Sequence, residues 1–302
     1  MDVGKLRLLH NAKAIHEIKK GFSLDRKYQV DKKYLVRVFP KELLLERKKE
    51  FELLQALHSI VPYVPQAFEF GYFNGEGYMI IAFLNGVDGE FGMDDLSDLE
   101  QFEAGFLAGE VLRKMHALPL AVPKMNWFDF QTAKHKQKSV ELEELNLRLP
   151  FLMEADRFIN DNIARLKDRP ICLQHGDFHP ANIILNHKKF AGIIDFNRLE
   201  FGDPLVDLAK IGFFTTEVSV PFAQGNMLGY IKEQEIAGFW ELYALYTAMH
   251  IVAAVSWASR DTSRNLEKII SYAAKTAVSH ANFQQVIPNW MHEEERKWLI
   301  KK

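Results

Sequence analysis

Apolar and polar positions alternate through "GFSLDRKYQVDKKYLVRVF", residues 21–39, and the apolar ones are rich in β-branched and aromatic side chains. A period of two predicts two antiparallel strands, 22–30 and 34–39, turned at Asp31-Lys32-Lys33 and closed by Pro40. At residue 41 the spacing changes. In "KELLLERKKEFELLQALHSI" Leu43, Leu44, Phe51, Leu54 and Leu57 recur at helical intervals between charges, which predicts an amphipathic helix. Strand-like runs return at 67–73 and 78–84, on either side of the turn Asn74-Gly75-Glu76-Gly77. The first 85 residues therefore predict a small sheet with one helix laid on it.

After Asn85-Gly86 the helical period dominates. Helices are expected at 98–117, 141–167, 205–213, 223–233, 237–259, 262–283 and 293–300. Three short strands, 171–174, 183–185 and 190–194, interrupt them. This order divides the chain into an N-terminal lobe, 1–85, and a mostly helical C-terminal lobe, 86–302. The longest apolar stretch, "YALYTAMHIVAAVSWA" at 243–258, is too short for a membrane span and contains His250, so it reads as a buried helix.

Composition adds three constraints. A chain of 302 residues that is 48% hydrophobic and 26% charged is ordinary globular protein with a sizeable core. The net charge of −2 argues against a nucleic-acid binder, but the charge is uneven. Residues 1–50 carry 14 Lys/Arg against 7 Asp/Glu, a net of +7, which leaves −9 for the other 252. A basic N-terminal part suits anionic phosphates; an acidic remainder suits a cationic partner. The single cysteine, Cys172, permits no internal disulfide, and the N-terminus lacks a signal-peptide core. A cytoplasmic protein without nucleic-acid or membrane partners is expected, as monomer or homodimer.

The chemistry concentrates in "ICLQHGDFHPANIILNHKKFAGIIDF", residues 171–196. A short polar loop, bent by Gly176 and Pro180, lies between two apolar runs, and Asp177 and Asn182 stand five apart on it. Asp195 ends the strand that follows. Asp and Asn also serve as turn and cap residues. Here, however, a carboxylate and an amide oxygen converge from neighbouring loops, which suits a hard divalent cation such as Mg²⁺. Asp177 would then stay off the metal and accept a hydroxyl proton, as phosphoryl transfer requires.

"HGDFHPAN" followed by "GIIDF" and "FGDPLVDLAK" resembles the aminoglycoside phosphotransferase family, a branch of the protein-kinase-like fold that includes macrolide, choline, homoserine and methylthioribose kinases. The resemblance implies an α+β, bilobal protein-kinase-like fold and transfer of the γ-phosphate of ATP or GTP to a substrate hydroxyl. By position it implies that Asp177 is the catalytic base and that Asn182 and Asp195 hold Mg²⁺. His175 would pin the loop; Asp203 and Asp207 would brace it and cap a helix. In the N-terminal lobe Arg37 would be the phosphate-binding cation, where lysine is common, and Glu50 its helix carboxylate, with Glu46 the fallback. Gly21 and Ser23 would lie on the phosphate-covering loop 19–27. Backbone groups from Ala82 to Leu84 would meet the base.

The expected acceptor is a small, hydroxyl-bearing, cationic molecule. An aminoglycoside is the first choice, and a metabolite of the choline, homoserine or methylthioribose type the second. A nucleotide-binding pseudokinase is the third reading. Glu200, Glu217, Glu233, Glu235, Asp261 and Trp257 are candidate pocket residues, and the basic "KHKQK", 134–138, reads as a surface loop.

Overall fold

A computed structural model describes residues 2–19, 25–232, 237–261 and 263–291. In chain order the strands and the first helix begin with β1 (Ile15–Ile18), β2 (Arg26–Val30), β3 (Tyr34–Pro40) and α1 (Leu44–Ile60). Then come β4 (Ala67–Phe73), β5 (Glu76–Ala82), β6 (Val87–Asp88), α2 (Gly89–Gly92), α3 (Asp98–His116), α4 (Trp127–Glu144) and α5 (Pro150–Asn162). After them follow β7 (Cys172–Gln174), β8 (Ile183–Asn186), β9 (Lys189–Ile193), β10 (Glu200–Gly202), α6 (Leu205–Leu208), α7 (Val220–Ile231), α8 (Phe239–Ser259) and α9 (Leu266–Ser279).

The chain forms two compact units. One comprises residues 1–92 and 181–199; the other comprises 93–180 and 200–302. The segment 181–199, which the sequence reading kept with the C-terminal lobe, clusters with the first.

The first unit holds an antiparallel sheet ordered β1-β2-β3-β5-β4 and a second, β6-β8-β9. Asp31 and Lys32 turn β2 into β3 with φ near +50°, and Asn74-Gly75 turns β4 into β5 in the same left-handed region. Such turns match the twist of paired strands, so both hairpins are local choices of the sequence. The two faces of β3 have different jobs. Val36 and Val38 join Val30, Ile80, Val3, Leu6 and Leu9 in one apolar cluster. On the other face Phe39 packs near Phe70, 5.9 Å between ring centres, and Arg37 points the same way. α1 buries Arg47, Glu50, Phe51, Leu54 and Leu57, a stripe at helical spacing that brings two charged side chains inside with the apolar ones.

In the second unit α3 begins at a capping box, Ser97 with Glu100. It then packs backbone to backbone on α7. A Cβ at Gly109 would lie 2.1 Å from the Asn226 carbonyl oxygen, and one at Gly225 2.1 Å from that of Phe102. α8 is apolar on every side because α4, α5, α6 and α9 surround it. The stretch 134–138 is a correction: it lies within helix α4, whose buried side carries Trp127, Gln131, His135 and Leu142. The expected helix 141–167 is the end of α4, a turn, and α5. The expected helix 293–300 lies outside the described residues.

Candidate functional site

In the first unit, Arg37 sits at the centre of a buried charge cluster. Its guanidinium donates to Asp25, to Glu50 and to the amide oxygen of Asn197. Arg47, one helical turn before Glu50, donates to both Asp25 oxygens, at 3.0 and 3.1 Å, and lies 3.4 Å from Glu50 Oε2. The side chains of Arg37, Arg47, Asp25 and Glu50 are 0–8% exposed, so two cations and two carboxylates neutralise one another out of solvent. Burial alone disfavours the charged form of Arg37, yet Glu50 and Asp25 hold its pKa above the ordinary arginine value. Burial also pushes the Asp25 carboxyl up, and the two arginines outweigh it and hold it below the usual range. The sequence spacing finds Arg37 and Glu50 but misses Asp25, Arg47 and Asn197. Arg47 leaves one signal, its place three residues before Glu50 on the same helix face. Glu46, the alternative carboxylate, is exposed and pairs with Arg47, not with Arg37.

Asn182 and Asp195 come together at the ends of the hairpin β8–β9. The Ile194 N–H donates to the Asn182 carbonyl oxygen at 2.9 Å, which fixes the two strand ends against each other. Asp195 adopts φ +68°, ψ +66°, a left-handed conformation that ends the strand and turns the chain into Phe196–Arg198. The Asn197 side-chain amide donates to Asp195 and accepts from Arg37, so one residue connects the buried cation to the acidic strand end. Both candidate ligands offer hard oxygen donors. Among the described residues no group of three His, Cys, Asp or Glu side chains could hold a metal. This donor set fits Mg²⁺, which takes few protein oxygens and completes its shell with phosphate and water.

The proposed base-edge residues lie at the end of β5. The Ala82 N–H donates to the Gln66 carbonyl oxygen at 2.7 Å and the Phe83 N–H to that of Lys33 at 2.9 Å. Both donors are thus spent on neighbouring backbone. Gly21 and Ser23 lie outside the described residues, as do Glu233 and Glu235.

In the second unit Asp177 is half-buried and bound by a lysine. Lys210 Nζ lies 2.6 Å from Asp177 Oδ1 and 2.6 Å from the Gly176 carbonyl oxygen. His179 Nε2 is 3.5 Å from the same Asp177 oxygen. Burial pushes the Asp177 carboxyl up; the hydrogen bond from His179 and the charge of Lys210 override that and hold it far below the usual carboxylate range. The loop is fixed from beneath by Asp207, which accepts from the His175 N–H at 2.7 Å and the Gly176 N–H at 2.8 Å. His116 completes that support, 3.1 Å from Asp207 Oδ2 and 2.9 Å from the Tyr230 hydroxyl. The ring of His175 accepts from the Asp177 N–H at 3.1 Å, so it shapes the loop from within. Asp203 caps the turn into α6 through the Leu205 N–H, at 2.9 Å, and binds Arg169 and the Tyr246 hydroxyl. Lys210 and His179 were not found by sequence reasoning. Lys210 directly precedes the π-helical turn Ile211–Thr215, and nothing in that position signals a loop more than thirty residues earlier.

The candidate acceptor residues are dispersed among other partners. Glu217 pairs with Lys275 at 2.6 Å, and Asp261 pairs with Arg264 at 3.5 Å. Trp257 is covered by the Arg264 guanidinium, 4.1 Å from its ring centre, and Glu200 is exposed on β10.

Solved structures with this architecture include aminoglycoside phosphotransferase APH(2'')-Ib bound to ADP, 19% identical, with a TM-score of 0.60 over 88% of this chain and 94% of that one. A thermostable mutant of aminoglycoside phosphotransferase APH(4)-Ia, in ternary complex with AMP-PNP and hygromycin B, is 16% identical, with a TM-score of 0.66 over 90% and 95%. A choline/ethanolamine kinase family protein from Mesorhizobium loti is 14% identical, with a TM-score of 0.63 over 98% and 95%. At these identities the likeness establishes the fold, which is protein-kinase-like. No curated protein sequence matches the chain. Residues 14–243 match the phosphotransferase enzyme family (APH). That span runs from the edge of β1 into α8 and contains Arg37, Glu50, Asp177, Asn182 and Asp195, and the chain is a member of that family.

Proposed function

We propose that the protein transfers the γ-phosphoryl group of ATP or GTP, as its Mg²⁺ complex, to the hydroxyl of a small molecule. The observation that carries this reading is the state of Asp177, a carboxylate held ionised by Lys210 and His179 on a loop braced by Asp207. In the reaction the acceptor oxygen bonds to the γ-phosphorus as the bond to the bridging oxygen breaks. The nucleoside diphosphate leaves with that electron pair, and the hydroxyl proton passes to Asp177. A carboxylate this stable is a weak base, so its main contribution is to orient the hydroxyl and take the proton late. Asn182 and Asp195 would hold the Mg²⁺, which neutralises phosphate charge when bound. Arg37 would supply the cation on the nucleotide side, aligned by Glu50.

The test is a coupled nucleotide-consumption assay with a panel of hydroxylated acceptors. Asp177→Ala is expected to lower turnover about 10²- to 10⁴-fold and leave nucleotide affinity within about twofold. A loss under about tenfold refutes the role. Between the two acceptor classes, the lysine on Asp177 favours a metabolite over an aminoglycoside, because a polycation would meet an ammonium where it needs a free carboxylate.

A further inference from the structure

We infer that the acceptor carries an anionic group close to the hydroxyl that is phosphorylated, and that Lys210 binds this anion. The inference rests on the phosphotransfer reading and specifies its acceptor. An ammonium has three N–H donors. Among the described residues two acceptors meet Lys210, Asp177 Oδ1 and the Gly176 carbonyl oxygen, both at 2.6 Å. The third donor is left for a ligand that approaches Asp177. A hydroxyl on Asp177 and an anion on Lys210 would then be bound side by side, as a compact hydroxy acid or phosphate ester presents them.

The surroundings carry the same sign. His179, 3.5 Å from Asp177, has its ring 5.3 Å from that of Phe214, and Phe214 lies 6.3 Å from Tyr272. The faces of Tyr272 carry two lysines, Lys268 at 5.3 Å and Lys275 at 5.9 Å. Burial keeps His250 neutral behind Phe213, and the charges of Lys210, Lys134 and His179 act in the same direction while Asp177 opposes them. Among the residues that make these contacts the carboxylates are Asp177 and Glu217, each already paired with a lysine. The local balance is therefore positive, although the chain beyond residue 50 sums to −9. The acidic remainder suggested a cationic acceptor; the charges around the reactive carboxylate point to the opposite sign.

The test uses the full chain, Mg²⁺ and ATP or GTP, and acceptors matched in skeleton: glycerate and glycerol phosphate against aminopropanediol, hydroxybutyrate against aminobutanol, and gluconate against glucamine. The expected result is a kcat/KM at least tenfold higher for the anionic members, and the glycerol series separates a carboxylate from a phosphate ester. Lys210→Gln removes a charge-assisted bond and is expected to raise KM for the anionic acceptor about ten- to a hundredfold and erase the preference over the amine. Lys268→Glu, at an exposed position of α9, should narrow the preference in the same direction. A preference for the amines, equal use of both classes, or no stimulation by either while Mg²⁺–nucleotide is bound, overturns the inference. Failure of Mg²⁺–nucleotide to raise the melting temperature at all is a different result, since it removes the phosphotransfer reading itself.

Discussion

Replacing Arg37 by methionine keeps the length of the side chain and removes its charge from a site where that side chain is 5% exposed. Three groups lose a donor at once: Asp25, Glu50 and Asn197. Breaking a buried ion pair typically costs about 3–5 kcal/mol, because the remaining charge is left unpaired. Here Arg47 still reaches both Asp25 oxygens, so the lower end, about 3 kcal/mol, is expected. Arg37→Lys keeps the charge but not the planar fork, and should cost about 1–2 kcal/mol. The double variant Arg37→Met with Asp25→Leu removes one charge of each sign and should be more stable than the sum of the two single changes by about 2 kcal/mol. Tryptophan fluorescence is blind to this experiment, because residues 1–92 and 181–199 contain no tryptophan. Urea unfolding followed by amide exchange in β2, β3 and β5 reads it directly. A cost below about 1 kcal/mol for Arg37→Met, or strict additivity in the double variant, would refute the picture of a mutually neutralised cluster.

Three further outcomes follow from the same geometry. Asp195→Ala should remove the Mg²⁺ dependence of nucleotide binding in a calorimetric titration, and an unchanged dependence would take that role from it. Burial pushes His250 down to about 3 and His280 down to about 4, whereas both titrate near 6.5 when unfolded. Each folded pKa is depressed, so the unfolded chain binds the extra proton, and stability falls as pH drops below about 6.5, by about 1.4 kcal/mol per pH unit for each histidine. His250→Leu should remove its own share of that slope between pH 6 and 5, leaving the shares of His280 and of His135, which burial also depresses. Gly225→Ala places a Cβ against the Phe102 carbonyl oxygen and should destabilise the second unit by about 1–3 kcal/mol. Trp127, Trp240, Trp257 and Trp290 all lie in that unit, so fluorescence is the suitable probe there.

How much of this was legible in the sequence depended on how local the determinant was. The hairpins β2–β3 and β4–β5 carry their turn residues with them, and the loop 175–182 carries its chemistry in adjacent letters. β1 was missed because three of its four positions are exposed, so "IHEI" shows no buried face. α4 was missed because its buried positions are partly polar, Gln131 and His135, and a basic run on such a helix looks like a loop. Asp25, Asn197 and Lys210 were beyond reach for a different reason. Each acts on a residue from another element, and no periodicity within one element encodes that meeting. The overall charge balance misled for the same cause: a sum over 252 residues has no position.

The division of the chain has a consequence for its synthesis. Three peptide bonds join the units, at 92–93, 180–181 and 199–200, so the first unit is interrupted by residues 93–180. Val87 and Asp88 in β6 pair as a strand with Leu185 and Ile184 of β8. A nascent chain emerging from the ribosome therefore carries β6 as an open edge while the whole of α3, α4 and α5 is made. An unpaired strand edge invites pairing with another chain. Products that stop before residue 181 would hold that edge open permanently, and they would also lack Asn182 and Asp195. Such fragments should aggregate rather than persist as a free first unit.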